Sequence, residues 1–165
     1  MKKNRLLGLI LTVVFLGVFA GDVFAWKGQV LKISDGDTIT VRDERGKKVR
    51  VRFYAIDAPE LKQDYGQDAK QELLTYIRKG AVVEIDERDR DRYGRVVAVV
   101  VLPDGRNLNQ ELLRDGAAWY YGRYCKDDDC LAWRKDEQSA RARRVGLWKE
   151  ANPVPPWEWR KAKRR

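Results

Sequence analysis

The chain has 165 residues, with 34 lysines and arginines against 25 aspartates and glutamates, no histidine, and a formal net charge of +9 at pH 7. The absence of histidine excludes Ser-His-Asp and Cys-His triads, paired-histidine ribonuclease chemistry and zinc hydrolases with histidine ligands. Acid–base catalysis would have to come from carboxylates or from water on a metal, and the positive charge favours a polyanionic partner.

The first 25 residues predict a secretory signal peptide. Basic residues near Met1 precede an apolar run over 6–20, and the segment 23–25 offers small residues to a signal peptidase. We expect cleavage after Ala25, with Ala20 as the second choice. A retained membrane anchor is the alternative, but the apolar run is shorter than the ~20 residues of a spanning helix. We therefore expect a secreted or periplasmic protein with no stable membrane association after cleavage.

The chain from Trp26 onward has the length of one domain, which we place at residues 26–150. Its two cysteines, Cys125 and Cys130, lie close together in a chain that is expected to be exported, which favours a short-loop disulfide. A zinc site is the alternative, but with two cysteines and no histidine it would have to recruit carboxylates.

The first half of this domain alternates between strand and helix patterns. Short β-branched segments at 28–34 and 38–42, followed by an alternating segment at 47–56, predict three consecutive antiparallel strands. From 66 to 80 the apolar residues recur with the period of an amphipathic helix, and Gly80 is the predicted C-cap.

The second half begins with apolar runs at 81–85 and 96–102, which predict two more strands on either side of a charged stretch. Two helices are predicted next, at 107–114 with Asn107 as its cap and at 131–144. Five strands and about three helices indicate an α+β, mainly β fold, an OB-type Greek-key barrel with added helices.

The prolines and tryptophans of residues 151–165 predict an irregular strap that ends in a basic tail. We expect Trp148, Trp157 and Trp159 to be packing residues of this strap. The basic residues from Arg160 to Arg165 are predicted to form a mobile tail that adds non-specific phosphate affinity.

Three segments carry residues suited to phosphate and metal chemistry. They are Asp35-Gly36-Asp37-Thr38, then Arg52 with Asp57-Ala58-Pro59-Glu60, and then Asp91-Arg92-Tyr93-Gly94-Arg95. Each segment alone has an ordinary explanation as a turn or a solvated loop. Arg52 near a predicted strand end, followed by two carboxylates on a stiff loop, nevertheless places a cation and hard oxygen ligands at one point.

In this order and spacing, with a helix between the second and third, the three segments resemble the thermonuclease family typified by staphylococcal nuclease. The resemblance extends from about Gly28 to Trp148 and includes the segment Leu108–Gly116. It implies an OB barrel with helices whose members hydrolyse phosphodiester bonds in DNA and RNA with one calcium ion.

The resemblance also implies a role for each residue. Asp37 and Asp57 match the calcium-binding carboxylates, and Ala58 matches the position that supplies a main-chain carbonyl. Glu60 matches the carboxylate that positions or activates the attacking water. Arg52 and Arg95 match the pair of arginines that binds the phosphate, which agrees with the ability of guanidinium groups to stabilise charge on phosphate oxygens.

Two positions depart from the family pattern. Ala58 stands where the prototype has threonine, which keeps a backbone carbonyl but loses a hydroxyl. The aromatic segment near Tyr124 matches the prototype's base-facing tyrosines only in part, with Gly122 where one of them would be. Tyr93 and Tyr124 are therefore candidate nucleotide contacts through base stacking.

These observations predict a calcium-dependent nuclease that acts endonucleolytically on DNA, RNA or both with little sequence preference, and we expect it to be a monomer. The alternative function is a non-catalytic nucleic-acid-binding OB module. A degenerate copy of that kind would be expected to lose a carboxylate or an arginine of the site.

Overall fold

The computed structural model describes residues 25–126 and 128–164. Apart from Ala25, the predicted signal peptide lies outside the described residues. The described residues form β1 (Ala25–Ile33), β2 (Thr38–Arg42), β3 (Lys48–Phe53), β4 (Ile56–Asp57), α1 (Gly66–Tyr76), β5 (Val82–Arg90), β6 (Val96–Val101), α2 (Leu108–Arg114), β7 (Trp119–Tyr120), α3 (Cys130–Ala142) and α4 (Pro156–Ala162), with short 3₁₀ turns at Gly122–Tyr124 and Gly146–Lys149.

Five of these strands close into a barrel in the order β1-β2-β3-β6-β5. The pairs β1–β2 and β2–β3 are antiparallel, as predicted, whereas β3 and β6 pair in parallel. Alternate residues face the core: Val51 and Phe53 of β3 are buried, while Lys48 and Arg50 are exposed. The predicted OB-type α+β fold is confirmed.

The predicted third strand is interrupted before Asp57. Strand β3 ends at Phe53, and Ala55 adopts a left-handed backbone conformation with φ of 54°. The chain then forms β4, which leaves the barrel and pairs with β7 through Ile56↔Tyr120 and Asp57↔Trp119.

The fully buried side chain of Asn109 in α2 stabilises this bend. Its amide donates to the carbonyls of Tyr54 and Ala98 at 2.9 and 3.2 Å, and its oxygen accepts from the Val100 N–H at 3.0 Å. Because buried backbone groups need partners, this one side chain holds the end of β3 and the middle of β6 together.

Helix α1 and strand β5 end at residues other than those predicted. Helix α1 ends at Tyr76, and Gly80, with φ of 93°, instead turns the chain into β5 and donates to the Val30 carbonyl at 2.7 Å. Strand β5 continues through the charged stretch to Arg90, where it pairs with β6. Residues exposed on both faces need no apolar alternation, so this part of the strand has no period-two signal.

The C-terminal segment differs most from its prediction. Residues 156–162 form α4 rather than an irregular strap, with Pro156 at the first helical turn, where its missing N–H costs nothing.

The predicted disulfide between Cys125 and Cys130 is present. Among residues 25–126 and 128–164, no helix has the length and hydrophobicity needed to cross a bilayer.

Candidate active site

The structure brings the residues with predicted catalytic, metal-binding and nucleotide-binding roles into one cleft of about 1040 Å³. The lining includes the five charged residues with predicted roles, the residue at position 58 and both candidate stacking residues: Asp37, Arg52, Asp57, Glu60, Arg95, Ala58, Tyr93 and Tyr124. These residues come from the turn before β2, the end of β3, β4 and its following loop, the β5–β6 turn and the 3₁₀ turn at Gly122–Tyr124.

Arg52 connects the two carboxylates that are predicted to bind calcium. Its Nη1 lies 2.6 Å from Asp37 Oδ2, and its Nη2 lies 2.7 Å from Asp57 Oδ1. Strand register accounts for this placement, because Thr38 pairs with Arg52 across β2–β3 and the Phe53 N–H donates to the Asp37 carbonyl. A single guanidinium fork therefore holds both acids at one point.

Asp37 and Asp57 are nearly inaccessible to solvent, with 5% and 1% of their surfaces exposed. Burial raises the pKa of Asp37, although the charge of Arg52 opposes the shift. The Asp37 carboxylate also accepts hydrogen bonds from the Ala58 N–H at 2.6 Å and the Thr38 hydroxyl at 3.1 Å. These contacts fix the orientation of Asp37 relative to the residue that follows Asp57.

The loop that carries Glu60 is held by its own backbone and by the start of α1. The Gln63 N–H donates to the Glu60 carbonyl at 2.8 Å, and Gln63 Oε1 accepts from the Glu60 N–H at 3.2 Å. Gly66 lies so close to this loop that a Cβ there would be 1.9 Å from the Glu60 carbonyl oxygen. Glu60 is thus fixed at its backbone, while its side chain, 37% exposed, remains open to water.

The alanine at position 58 belongs to a close contact between three small residues. A Cβ at Gly36 would lie 2.8 Å from the Ala58 Cβ and 3.0 Å from the Ala69 Cβ. The Asp35–Asp37 loop therefore packs directly against position 58 and helix α1. This packing gives a physical reason for a small side chain at the position where the prototype has threonine.

Arg95 lies in the β5–β6 turn and is oriented by Asp91. Its Nε donates to Asp91 Oδ2 at 2.7 Å, and its backbone N–H donates to Asp91 Oδ1 at 3.0 Å. The guanidinium carbons of Arg92 and Arg95 lie 4.9 and 5.6 Å from the ring centre of Tyr93, which is 63% exposed. The turn thus presents two cations around an exposed aromatic ring.

Aromatic residues from β7, the following 3₁₀ turn and α4 form a series of ring contacts along the cleft. Tyr124, 51% exposed, meets Tyr121 edge-on at 4.8 Å, and Tyr121 stacks on Trp157 at 5.0 Å between ring centres. Trp157 also packs edge-on against Trp119 at 5.7 Å. The predicted packing role of Trp157 is confirmed.

Arg160 is the site residue that sequence reasoning missed. Its Nη2 donates to Asp57 Oδ2 at 2.7 Å, and its Nη1 donates to Glu60 Oε1 at 2.8 Å and to Asp57 Oδ1 at 3.2 Å. Burial alone would lower the pKa of Arg160, but these carboxylates outweigh that effect and raise it. The prediction that Arg160 belongs to a mobile tail is wrong. The Pro155-Pro156 pair is a signal in the sequence for the start of a helix here, because proline is common at the first turn of a helix.

Comparison with known proteins agrees with this geometry. The profile of the family described as staphylococcal nuclease homologue matches residues 50–150. The chain belongs to the staphylococcal nuclease family. An Escherichia coli protein described as an uncharacterized endonuclease is 42% identical over 160 residues, 97% of this chain and 99% of the relative. The micrococcal nuclease of Shigella flexneri is 40% identical over 151 residues, 84% of each chain, and the protein ParB of Escherichia coli is 37% identical over 170 residues, 96% of this chain and 94% of ParB.

These similarities confirm the predicted family and enzyme class, a nuclease and therefore a hydrolase with nucleic acid as its substrate. The family match ends at residue 150, so α4 lies beyond it. The roles of the individual side chains stay predictions.

The donor set fits the calcium ion that the resemblance implies. Asp37 and Asp57 offer hard carboxylate oxygens within hydrogen-bond distance of one guanidinium, and calcium prefers oxygen ligands. Among the described residues, no three acidic or cysteine side chains come together as a metal-binding group. The Ala58 carbonyl and water would therefore have to complete the coordination.

We expect Gly66→Ala to lower turnover on nucleic acid at least about tenfold, because the new methyl group displaces the backbone of Glu60 and positioning errors of this size reduce rates strongly. Gly46→Ala is the matched control. Gly46 also tolerates no side chain without strain, since its φ is 82°, but nothing lies within 4 Å of the added methyl group. Its cost should be about 1 kcal/mol of stability, measured by urea unfolding, with turnover unchanged. Equal turnover losses in both variants would contradict the coupling of Gly66 to Glu60.

Proposed function

We propose that this nuclease is calcium-dependent and hydrolyses phosphodiester bonds in DNA, RNA or both, endonucleolytically and with low sequence specificity. The observation that carries the proposal is the Arg52 fork, which joins Asp37 and Asp57 in the cleft that also contains Glu60 and Arg95. The alternative of a non-catalytic binding module leaves this convergence of three carboxylates and two arginines unexplained.

Each side chain has a task that its environment supports. Asp37, Asp57 and the Ala58 carbonyl would hold the calcium ion, which when bound polarises a phosphate oxygen and neutralises developing charge. Glu60 is far more exposed than Asp57, so it is suited to accept a proton from an attacking water. Arg52 and Arg95 bind the non-bridging oxygens of the phosphate, where negative charge builds up in the transition state.

The composition of the cleft favours low sequence specificity. Its described lining contains arginines, lysines and tyrosines but neither asparagine nor glutamine, which commonly read adenine through paired hydrogen bonds. Tyr93 and Tyr124 are exposed and suited to stacking, an interaction that any base can make. The endonucleolytic mode is supported by the name of the Escherichia coli relative, an endonuclease.

The calcium requirement is tested by digestion of plasmid DNA and of RNA by the mature chain. Both should be cut with calcium and neither in excess chelator. Asp57→Asn should weaken calcium binding at least about tenfold in calorimetry, since it replaces a charged ligand. Asp104→Asn changes an exposed turn carboxylate instead and should bind calcium normally. Cleavage that persists in chelator would contradict the metal assignment.

The enzyme and the binding module are separated by Glu60→Gln, which removes the proton acceptor but keeps the shape of the side chain. We expect turnover to fall by about 10² to 10⁴, while affinity for single-stranded DNA, measured by fluorescence anisotropy in chelator, changes only a few-fold. Glu84→Gln, on the exposed face of β5, should alter neither quantity. A wild-type chain that binds but does not cleave, and behaves like Glu60→Gln, would establish the binding module.

We also propose that the protein is exported and processed after Ala25. The support is the leader sequence together with the disulfide between Cys125 and Cys130, a bond typical of oxidising compartments. Intact-mass analysis of exported protein should show loss of residues 1–25 and a mass two hydrogens below that of the reduced form. Full-length chain in the membrane fraction, or two free thiols, would contradict export.

A further inference from the structure

Helix α4 is anchored to the active site by contacts that do not involve its charges. Trp157 stacks on Tyr121 with an interplanar angle of 5° and packs edge-on against Trp119, whose neighbour in the ladder is Asp57. Just before the helix, the Val154 carbonyl accepts a hydrogen bond of 2.6 Å from Gln63, the side chain that also binds the Glu60 backbone. The helix is therefore fixed both to Trp119, the strand partner of Asp57, and to the loop that carries Glu60.

This anchoring places the Arg160 guanidinium between the two carboxylates that handle the metal and the water in the proposed mechanism. Arg160 is within 2.8 Å of Glu60 and 2.7 Å of Asp57. A phosphate placed between Asp57, which would hold the cation, and Glu60, which would accept a proton from the attacking water, would also lie within reach of Arg160. A guanidinium has five N–H donors, and the contacts to Asp57 and Glu60 involve only its two Nη atoms.

The charges of the cluster also favour a substrate contact for Arg160. When Asp37, Asp57 and Glu60 are ionised, their three negative charges exceed the two positive charges of Arg52 and Arg160, so the cluster has a net charge of minus one. A bound divalent cation makes the cluster positive by one charge, which a phosphodiester then balances. Without Arg160, the same phosphate would enter a cluster with no net positive charge, and binding would lose this attraction.

The same face of α4 carries further basic residues. Arg160 and Lys161 of α4 line the cleft, as does Arg164, two residues beyond the end of the helix. Lys163 is not among the lining residues, and its Nζ instead lies 4.4 Å from the ring centre of Trp159. The helix and the residues just after it thus present three cations to the cleft, whereas Lys163 lies against Trp159.

We propose that α4 is part of the active site, that Arg160 binds the phosphate at which cleavage occurs as a third arginine beside Arg52 and Arg95, and that Lys161 and Arg164 bind an adjacent phosphate of the same strand. This inference rests on the proposed nuclease function. It assigns to residues beyond the family match a direct role in holding the substrate.

The test compares Arg160→Ala, Arg160→Lys and Lys163→Ala, all made in the full mature chain. Arg160→Ala should lower kcat on a single-stranded DNA oligonucleotide at least about tenfold, as expected for loss of a donor to transition-state charge. Arg160→Lys should recover part of the loss, because it keeps the charge but not the fork. Lys163→Ala removes one charge at the C-terminal end of the same helix, and its kcat should stay within about twofold of the wild-type value.

A second measurement separates substrate binding from competition for the metal. Calcium affinity measured by calorimetry should change by less than about tenfold in Arg160→Ala, since the lost activity comes from the phosphate contact. In the double variant Lys161→Ala/Arg164→Ala, the affinity for DNA in chelator should depend less steeply on salt concentration, because fewer counterions are released on binding. Circular dichroism and thermal unfolding verify that each variant is folded.

Three results would overturn the inference. Turnover of Arg160→Ala equal to that of wild type would show that Arg160 does not contact the reacting phosphate. Higher turnover together with tighter calcium binding would make Arg160 a competitor of the cation. A loss of turnover that Lys163→Ala reproduces would indicate a general effect of charge on α4. Because wild type is assayed in parallel, failure of the nuclease function itself would be visible as absence of calcium-dependent cleavage in every sample.

Discussion

The interaction on which the rest of the site depends is the burial of the Asp57 carboxylate between two guanidinium groups. Asp57 is 1% exposed, and removing a charged group so far from water is costly unless compensating charges lie beside it. Arg52 provides one cation from the end of β3, and Arg160, which lies 103 residues after Asp57 in the chain, provides the other. The closed barrel and the docked C-terminal helix are both needed to bring these groups together.

The barrel alone does not place Asp57. The left-handed backbone at Ala55 takes the chain out of the barrel sheet, and the β4–β7 pairing then holds it beside Trp119. Asn109 secures the bend by bonding the Tyr54 carbonyl from α2. A strand that continued through position 57 would have kept its residues on the barrel ladder, so the interruption is what sends the carboxylate into the cleft.

Sequence reasoning was most successful where structure is local. The alternation of β3, the period of α1 and the Asn107 cap are short-range patterns, and the family resemblance of the segments from Asp37 to Arg95 predicts that these residues share one site, where the structure brings them into one cleft. The parallel pairing of β3 with β6 has no local pattern, and the solvated half of β5 has no apolar period. The prolines at 153, 155 and 156 predict an irregular segment, whereas Pro156 lies in the first turn of α4, a position that proline favours.

The position of Arg160 could not be predicted for a different reason. A basic residue near a chain end looks the same in sequence whether it is solvated or inserted into a site, and only the tertiary packing of Trp157 decides between the two. Trp157 holds α4 against Tyr121 and Trp119 through ring contacts that do not involve the charges of the helix. Arg160 is therefore held near Glu60 before any substrate arrives, and the entropy of fixing this long side chain is lost during folding instead of during binding.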